Sequence, residues 1–251
     1  MDRYRDRTRT LKFDAVFFDS GGTLYGYARG TDPTSAEVAD GRFSRLAAAF
    51  SAYGHHLDPD LIKTHLIPCE ESCIKAFGHG CNFFRMMKVF CEELTPGIKP
   101  EIVACLTDAY AGPRYASWLY PGISDTVKAL SESGLYIGLI ANTYWPGFCM
   151  DRALDGVGLL RYFKTRIYSG DVGIAKPDPL IFSLAEDIAG LQGKSILYVG
   201  DTLEPDVQGA SEVGWKTAFH MRRGFSSDGK ADLDYNDAGE LLKFCLKNDE
   251  H

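Results

Sequence analysis

The sequence predicts an α/β protein with a parallel sheet and an all-helical insertion, and three observations lead there. Short apolar runs recur at residues 13–18, 136–141, 165–169, 195–199 and 216–219. Helical patterns fill the gaps at residues 124–133, 146–154, 178–189 and 204–213. From about residue 34 to 117, helical periodicity continues with no convincing strand. Apolar strands alternating with helices imply a parallel sheet covered on both faces.

The first run, Phe13-Asp14-Ala15-Val16-Phe17-Phe18, ends in Asp19 and the pair Gly21-Gly22, so a buried strand breaks into a turn there. Within the insertion, Asp32-Pro33 and Asp58-Pro59 read as helix starts, Gly54 and Gly78 as stops, and Pro68 as a kink or break. Four or so helices are expected. The chain returns to the core at Tyr120-Pro121-Gly122, so the expected division is 1–25 core, 26–118 helical cap and 119–251 core.

The composition, 45% hydrophobic and 24% charged, is that of a globular protein. A net charge of -7 and a pI near 5.4 argue against nonspecific nucleic-acid binding, which needs a field of Lys and Arg, and favour a small ligand. Arg3, Arg5, Arg7 and Arg9 alternate with Asp2 and Asp6 and precede no apolar run, so they read as a solvated N-terminus and not a secretory signal. Apolar runs such as 135–141 fall well short of the roughly 20 residues that span a bilayer. Seven Cys without a C-x-x-C pair favour neither a disulfide framework nor a zinc site, and a reducing cytoplasm is expected. Oligomeric state is not legible.

Ligands of parallel α/β sheets bind outside the carboxyl ends of the strands. The polar residues placed there are Asp19, Ser20 and Thr23, then Asn142 and Thr143, then Lys176, then Gly200, Asp201 and Asp206. Carboxylates from two strand ends, a hydroxyl or amide, and a Lys can hold Mg2+ and a phosphoryl group together. A carboxylate can attack phosphorus, and a Lys with the metal can neutralise the charge that moves. A lone Asp after a strand usually forms a turn, Asn142 alone could cap a helix, and Asp206 alone could simply favour a helix N-terminus. Their co-occurrence is what points to a site.

Phe17-Phe18-Asp19-Ser20-Gly21-Gly22-Thr23-Leu24 resembles the first motif of the haloacid-dehalogenase superfamily, commonly D-x-D-x-T after an apolar strand. Leu139-Ile140-Ala141-Asn142-Thr143 resembles its second motif, Gly173-Ile174-Ala175-Lys176-Pro177-Asp178-Pro179 its third, and Val199-Gly200-Asp201-Thr202-Leu203-Glu204-Pro205-Asp206 its fourth. The resemblance implies a Rossmann-like parallel core with an inserted helical cap, and Mg2+-dependent hydrolysis of a small phosphorylated metabolite. It implies Asp19 as nucleophile and metal ligand, with the Gly21 carbonyl, Asp201 and Asp206 also toward the metal. Lys176 would act beside Asp19, and Ser20, Gly21, Asn142, Thr143 and Lys176 would contact substrate, while Thr23 would fix the loop.

The departure is Gly21, which stands where phosphatases of this family carry the Asp that protonates the leaving group. Its loss removes an acid/base contribution of about 10²- to 10⁴-fold. Branches lacking that Asp include dehalogenases, phosphonate hydrolases and ion pumps. Dehalogenation needs no magnesium, which the pair Asp201 and Asp206 opposes. A phosphonate hydrolase needs a cap Lys, for which Lys63, Lys75 and Lys88 are available, and a phosphate-binding homologue without turnover is the non-enzyme alternative. His79 and Arg85 could reach the substrate but read first as surface residues, and His55-His56 reads as a loop.

Overall fold

The protein was analysed as a computed structural model, which describes residues 11–26 and 32–246; the basic N-terminal cluster lies outside the described residues. The strands are β1 (Ala15–Phe18), β2 (Tyr136–Ala141), β3 (Thr165–Tyr168), β4 (Ile196–Gly200), β5 (Lys216–His220) and β6 (Leu233–Tyr235). They form one sheet in the order β3-β2-β1-β4-β5-β6, and every neighbouring pair is parallel.

Between β1 and the return at Tyr120 lie, among the described residues, five α-helices, α1 (Ser35–Asp40), α2 (Arg42–Ala52), α3 (Pro59–Phe77), α4 (Phe83–Leu94) and α5 (Pro100–Ala111). The core continues with α6 (Ile123–Glu132), α7 (Gly147–Gly156), α8 (Ser169–Val172), α9 (Pro179–Ala189), α10 (Gly209–Glu212) and α11 (Ala238–Cys245). The continuous apolar strands follow from burial on two sides. Val16 and Phe18 of β1 pack with residues of α6, α7 and α11, whereas Ala15 and Phe17 pack with residues of α9 and α10. The helical insertion has its own core, built on Leu46, Phe50, Ile62, Leu66, Met87, Phe90 and Leu106.

Helix ends explain where the expected boundaries hold. Asp58 accepts from the amides of Asp60 and Leu61 with Pro59 at the first helical position, and Gly78 ends α3 with a positive φ. At Asp32-Pro33 the helix starts later, because Thr34 and Glu37 form the capping box of α1. Pro68 neither kinks the chain out of helix nor ends it; α3 runs through it, with the ring on the exposed side. The expected helix at 204–213 is instead a π-helical turn, Leu203–Gln208, followed by short α10. Beyond β5, the sequence reading did not single out β6 and α11, although Asp237 and Glu240 form a capping box that signals the helix.

One cysteine expectation is overturned, since Cys73 and Cys81 form a disulfide with Cα atoms 5.8 Å apart. Gly78 turns the chain back at the end of α3 and brings the two together, which cysteine spacing alone does not reveal. The chain enters and leaves the insertion side by side: Tyr25 bridges Leu119, the Gly26 amide donates to the Trp118 carbonyl, and Ser117 Oγ donates to Asp32.

Phe17 is wholly buried against Trp215 and Tyr136, and its ring lies against the Cα of Gly138 on the neighbouring strand, where no Cβ would fit. Phe17→Ala should destabilise the fold by about 3–5 kcal/mol through lost burial and the cavity left behind. Urea denaturation checks this, and a loss below about 1 kcal/mol would contradict the packing described.

Candidate active site

Four of the residues singled out in the sequence, Asp19, Lys176, Asp201 and Asp206, meet at the carboxyl end of the sheet. Asp19 follows β1, Asp201 follows β4, and Asp206 sits in the π-helical turn beyond it. The ligand atoms of these three carboxylates lie within 4.8 Å of one another, and all three residues are buried. Lys176 reaches in from the loop before α9, and its ammonium donates to Asp19 Oδ1 at 2.8 Å, Asp206 Oδ1 at 2.7 Å and the Tyr198 hydroxyl at 2.6 Å. These three bonds use all three N–H groups of the ammonium.

Tyr198 was not foreseen, because as the third residue of β4 it reads as core. Its hydroxyl donates to the Ile140 carbonyl at 2.8 Å while accepting from Lys176. The sequence signal available was a tyrosine hydroxyl in an otherwise apolar buried strand. Arg222 was missed too. It follows β5, and its Nε hydrogen-bonds Asp201 Oδ2. His220 ends β5 and bonds the Gly22 carbonyl through Nδ1 at 2.9 Å, holding the turn after Asp19. Burial depresses the His220 imidazole below its ordinary value despite that bond, so the neutral ring serves as donor.

Three expected roles are narrowed by these contacts. The Asn142 carboxamide clamps the Lys176 backbone at both ends, Nδ2 to carbonyl at 2.8 Å and amide to Oδ1 at 2.9 Å, so it positions Lys176 and has one N–H left. Thr143 Oγ1 accepts from the Trp145 amide, and the Thr143 amide donates to Ser169 Oγ, which ties that residue to its own loop and to the loop after β3. Asp206 Oδ2 accepts from the amides of Asp201 and Thr202 and from the Thr202 hydroxyl, so with Lys176 on Oδ1 both oxygens are engaged.

The Ser20 carbonyl accepts from the Leu24 and Tyr25 amides, shaping the turn, and Thr23 is buried inside it. Gly22 has a φ of +85°, and a Cβ there would collide with Asp201 and Arg222. Gly21 differs. Its φ lies outside the left-handed region, and a Cβ would meet nothing within 4 Å.

Burial is the largest influence on Asp19. It pushes the carboxyl up to about 7, with Lys176 opposing and Asp206 and Asp201 adding to the rise. Burial alone would lower Lys176, but Asp19 and Asp206 outweigh it and hold the ammonium above its ordinary value. Burial likewise raises Asp201 against the pull of Arg222. A centre of three buried carboxylates and two cations still carries excess negative charge. Asp19 Oδ2 and Asp201 Oδ1 are the carboxylate oxygens of the cluster without a hydrogen bond among the described residues. Two hard oxygens on adjacent strands, in a cluster short of positive charge, fit Mg2+, which prefers oxygen and keeps several waters.

The other candidates lie elsewhere. Lys63, Lys75 and Lys88 are exposed on α3 and α4, as is Arg85. His79 is exposed and stacks on Tyr144, and His56 bonds Ser51 in the loop before α3. A cavity of about 390 Å³ lies between the insertion and the core, lined by Tyr25, Arg42, Glu70, Tyr110, Arg114 and Trp145 among others. No helix among the described residues is long and apolar enough to cross a membrane.

Fold and site are together those of an α/β enzyme with an acidic centre at the carboxyl ends of its strands. Residues 13–214 match the haloacid dehalogenase-like hydrolase family, and the chain belongs to it. The glyceraldehyde 3-phosphate phosphatase of Methanopyrus kandleri is 28% identical over 217 residues, covering 85% of this chain and 86% of that one. The phosphoserine phosphatase of Thermus thermophilus is 31% identical over 160 residues, 63% of each chain. Among solved structures, a 2-haloacid dehalogenase from Pseudomonas syringae pv. Tomato superposes with a TM-score of 0.62 at 17% identity, covering 91% of this chain and 96% of that one. A phosphatase of the same superfamily from Thermococcus onnurineus does so with a TM-score of 0.56 at 23% identity, covering 92% and 97%. These two likenesses concern the fold.

Mg2+ binding should be linked to proton release. Burial raises the Asp19 carboxyl to about 7, so a cation bound at this carboxylate would displace a proton from it. The apparent affinity should rise with pH and level off above about 7, with about one proton released per ion near pH 6, as calorimetry in buffers of different ionisation enthalpy would show. Because folding raises this pKa, the carboxyl's contribution to the stability of metal-free protein is full below its unfolded value and fades as pH rises towards about 7. A pH-independent affinity would contradict the assignment.

Proposed function

We propose that the protein is a Mg2+-dependent phosphatase acting on a small phosphorylated metabolite through an aspartyl-phosphate at Asp19. The observation that carries this reading is the buried Asp19 carboxylate, held by Lys176 on Oδ1 and clustered with the carboxylates of Asp201 and Asp206 within 4.8 Å. The phosphatases among its relatives support the substrate class, since their names specify glyceraldehyde 3-phosphate, phosphoserine and phosphoglycolate.

In this mechanism Asp19 attacks phosphorus, the bond from phosphorus to the leaving oxygen breaks, and water then hydrolyses the acyl phosphate. Lys176 opposes the burial-driven rise at Asp19 and aligns its carboxylate, while Asn142, Tyr198 and Asp206 hold Lys176 in place. Arg222 fixes the orientation of Asp201. A magnesium ion held by Asp19 and Asp201, with the Gly21 carbonyl beside them, would supply the remaining positive charge on the transferring group. Ser20 and the backbone of the turn face the phosphoryl oxygens. Residues 26–118 act as the cap, and the 390 Å³ cavity on its core side is bounded by Tyr25 and Gly26, which follow the Asp19 turn, while Asp19, Asp201, Asp206 and Lys176 are not among its lining residues.

Gly21 leaves the centre without the usual acid, so leaving groups that depart as stable anions should be favoured. Aryl and acyl phosphates meet that condition, and alkyl phosphates do not. Gly21→Asp should raise kcat on alkyl phosphates about 10-fold or more and change aryl phosphates much less. The open space at Gly21 and its ordinary backbone angles remove the main obstacle to that substitution. Equal gains on both substrate kinds would point to another proton donor.

The function itself is tested by a panel of phosphorylated metabolites assayed with and without Mg2+. Asp19→Asn should abolish turnover and radiolabelled phosphate capture while leaving the melting temperature close to wild type or higher, because it removes a buried charge. Turnover at the wild-type rate in Asp19→Asn would eliminate Asp19 as nucleophile.

A further inference from the structure

The disulfide lies in the insertion, yet its loop is wired to the active-site end of the sheet. Cys81 is wholly buried, and the residues beside it hold the core loop after β3. Ser169 Oγ donates to the His79 carbonyl at 2.6 Å, and Asn82 Nδ2 donates to the Gly170 carbonyl and to Asp171 Oδ1, both at 2.9 Å. The Phe83 amide donates to the Tyr144 carbonyl at 2.9 Å. Gly170 packs so tightly on the Cys81 carbonyl that no Cβ would fit between them.

That core loop leads directly into the catalytic end. Ser169 Oγ also accepts from the Thr143 amide, the Gly173 amide returns to the Ser169 carbonyl, and three residues later Lys176 is clamped by Asn142. The staple, the loop and the Lys176 clamp therefore form one connected set of contacts.

The disulfide is open to attack from one side. Cys73 is half-buried and lines a groove of about 600 Å³ between α3 and α4, together with His65, Cys69, Phe77, Arg85 and Met86. Burial, with Glu93 adding to it, holds the neighbouring Cys69 thiol above its ordinary value, so an attacking thiolate comes from outside.

We propose that Cys73–Cys81 is a thiol-exchange site, reduced through this groove by a low-molecular-weight thiol, and that its redox state sets how firmly residues 78–83 hold the loop leading to Lys176. An external thiolate attacks Cys73 Sγ, the sulfur–sulfur bond breaks, and Cys81 leaves as a thiolate that takes up a proton. A second external thiol attacks the mixed disulfide, releasing Cys73 as a thiol and the small molecule as its own disulfide. Two small thiols are oxidised and one protein disulfide is reduced. The consequence for turnover rests on the phosphatase reading above, whereas the loosening of the loop does not.

The experiment is a titration of the full-length protein in glutathione redox buffers, with alkylated thiols counted by mass spectrometry and amide hydrogen exchange read at Phe83, Thr143, Gly170 and Gly173. The oxidised protein, blocked after unfolding, should show five free cysteines and the reduced protein all seven. Exchange at the four amides should accelerate about 5-fold or more on reduction, as expected when a local contact set opens more often. Turnover of an aryl phosphate should fall about threefold or more with the same midpoint. Cys73→Ser and Cys81→Ser should be fixed in the fast-exchanging state at every potential, and Cys69→Ser should keep the wild-type response.

Seven alkylated cysteines in the oxidised protein, unchanged exchange on reduction, or loss of the response in Cys69→Ser would each overturn the proposal. Faster exchange with constant turnover would remove its control of the active site. Absence of turnover in both redox states would count against the phosphatase reading and leave the exchange result to decide this one. Should a serine variant fail to fold, the wild-type titration decides by itself.

Discussion

The Lys176 ammonium is almost completely removed from water, and a buried charge is tolerable only when it is paired and each N–H has a partner. Those partners come from two adjacent strands: Asp19 directly after β1, Tyr198 within β4, and Asp206 beyond β4. Meeting that requirement dictates much of the surrounding geometry. Asn142 must hold the Lys176 backbone, Tyr198 must anchor on the Ile140 carbonyl, and the chain after β4 must turn so that Asp206 faces inward. The π-helical turn at Leu203–Gln208 accomplishes the last, placing Asp206 where it accepts from both the ammonium and the Thr202 backbone.

Close approach of side chains to the backbone is the second constraint, and glycine meets it at three points. Gly138 lets the Phe17 ring lie flat against β2, Gly200 lets Asp206 fold back onto the end of β4, and Gly22 lets Asp201 and Arg222 approach the turn after Asp19. Gly21 is under no such constraint. Its identity is therefore a matter of chemistry and not of packing, because the space beside it would accept a side chain.

The insertion and the core are joined by more than their two connecting strands. Asn82 and the carbonyls of His79 and Cys81 lie against Ser169, Gly170 and Asp171, and Arg152 of α7 reaches Asp108 of α5 at 2.6 Å. Aromatic contacts join them as well, since Phe83 and Tyr110 of the insertion pack on Trp145 of the core and Phe83 also stacks on Tyr144. The cavity of about 390 Å³ is bounded by both parts, so its shape depends on how these contacts are maintained.

The alternation of apolar runs with helical patterns, read in sequence alone, determined the parallel sheet and the helical insertion, because a strand buried on both faces must be continuously apolar. It also placed Asp19, Asp201, Lys176 and Asp206 toward one end of the sheet, since the segments that follow such strands collect there. Local signals were enough for the ends of α3 at Asp58 and Gly78, whose caps act within a turn of chain. What each site residue does was decided by tertiary structure. Asn142 and Thr143 are adjacent in sequence to a strand end, but their hydrogen bonds go to Lys176, Ser169 and Trp145 and are fixed by how distant loops meet. Tyr198 and Arg222 carry no pattern that separates them from core or surface residues, and only the packing of β4 and the turn after β5 brings them to the carboxylates. The Cys73–Cys81 pair depends in the same way on the chain folding back at Gly78, since a disulfide requires two Cα atoms to come close in space and spacing along the chain does not specify that.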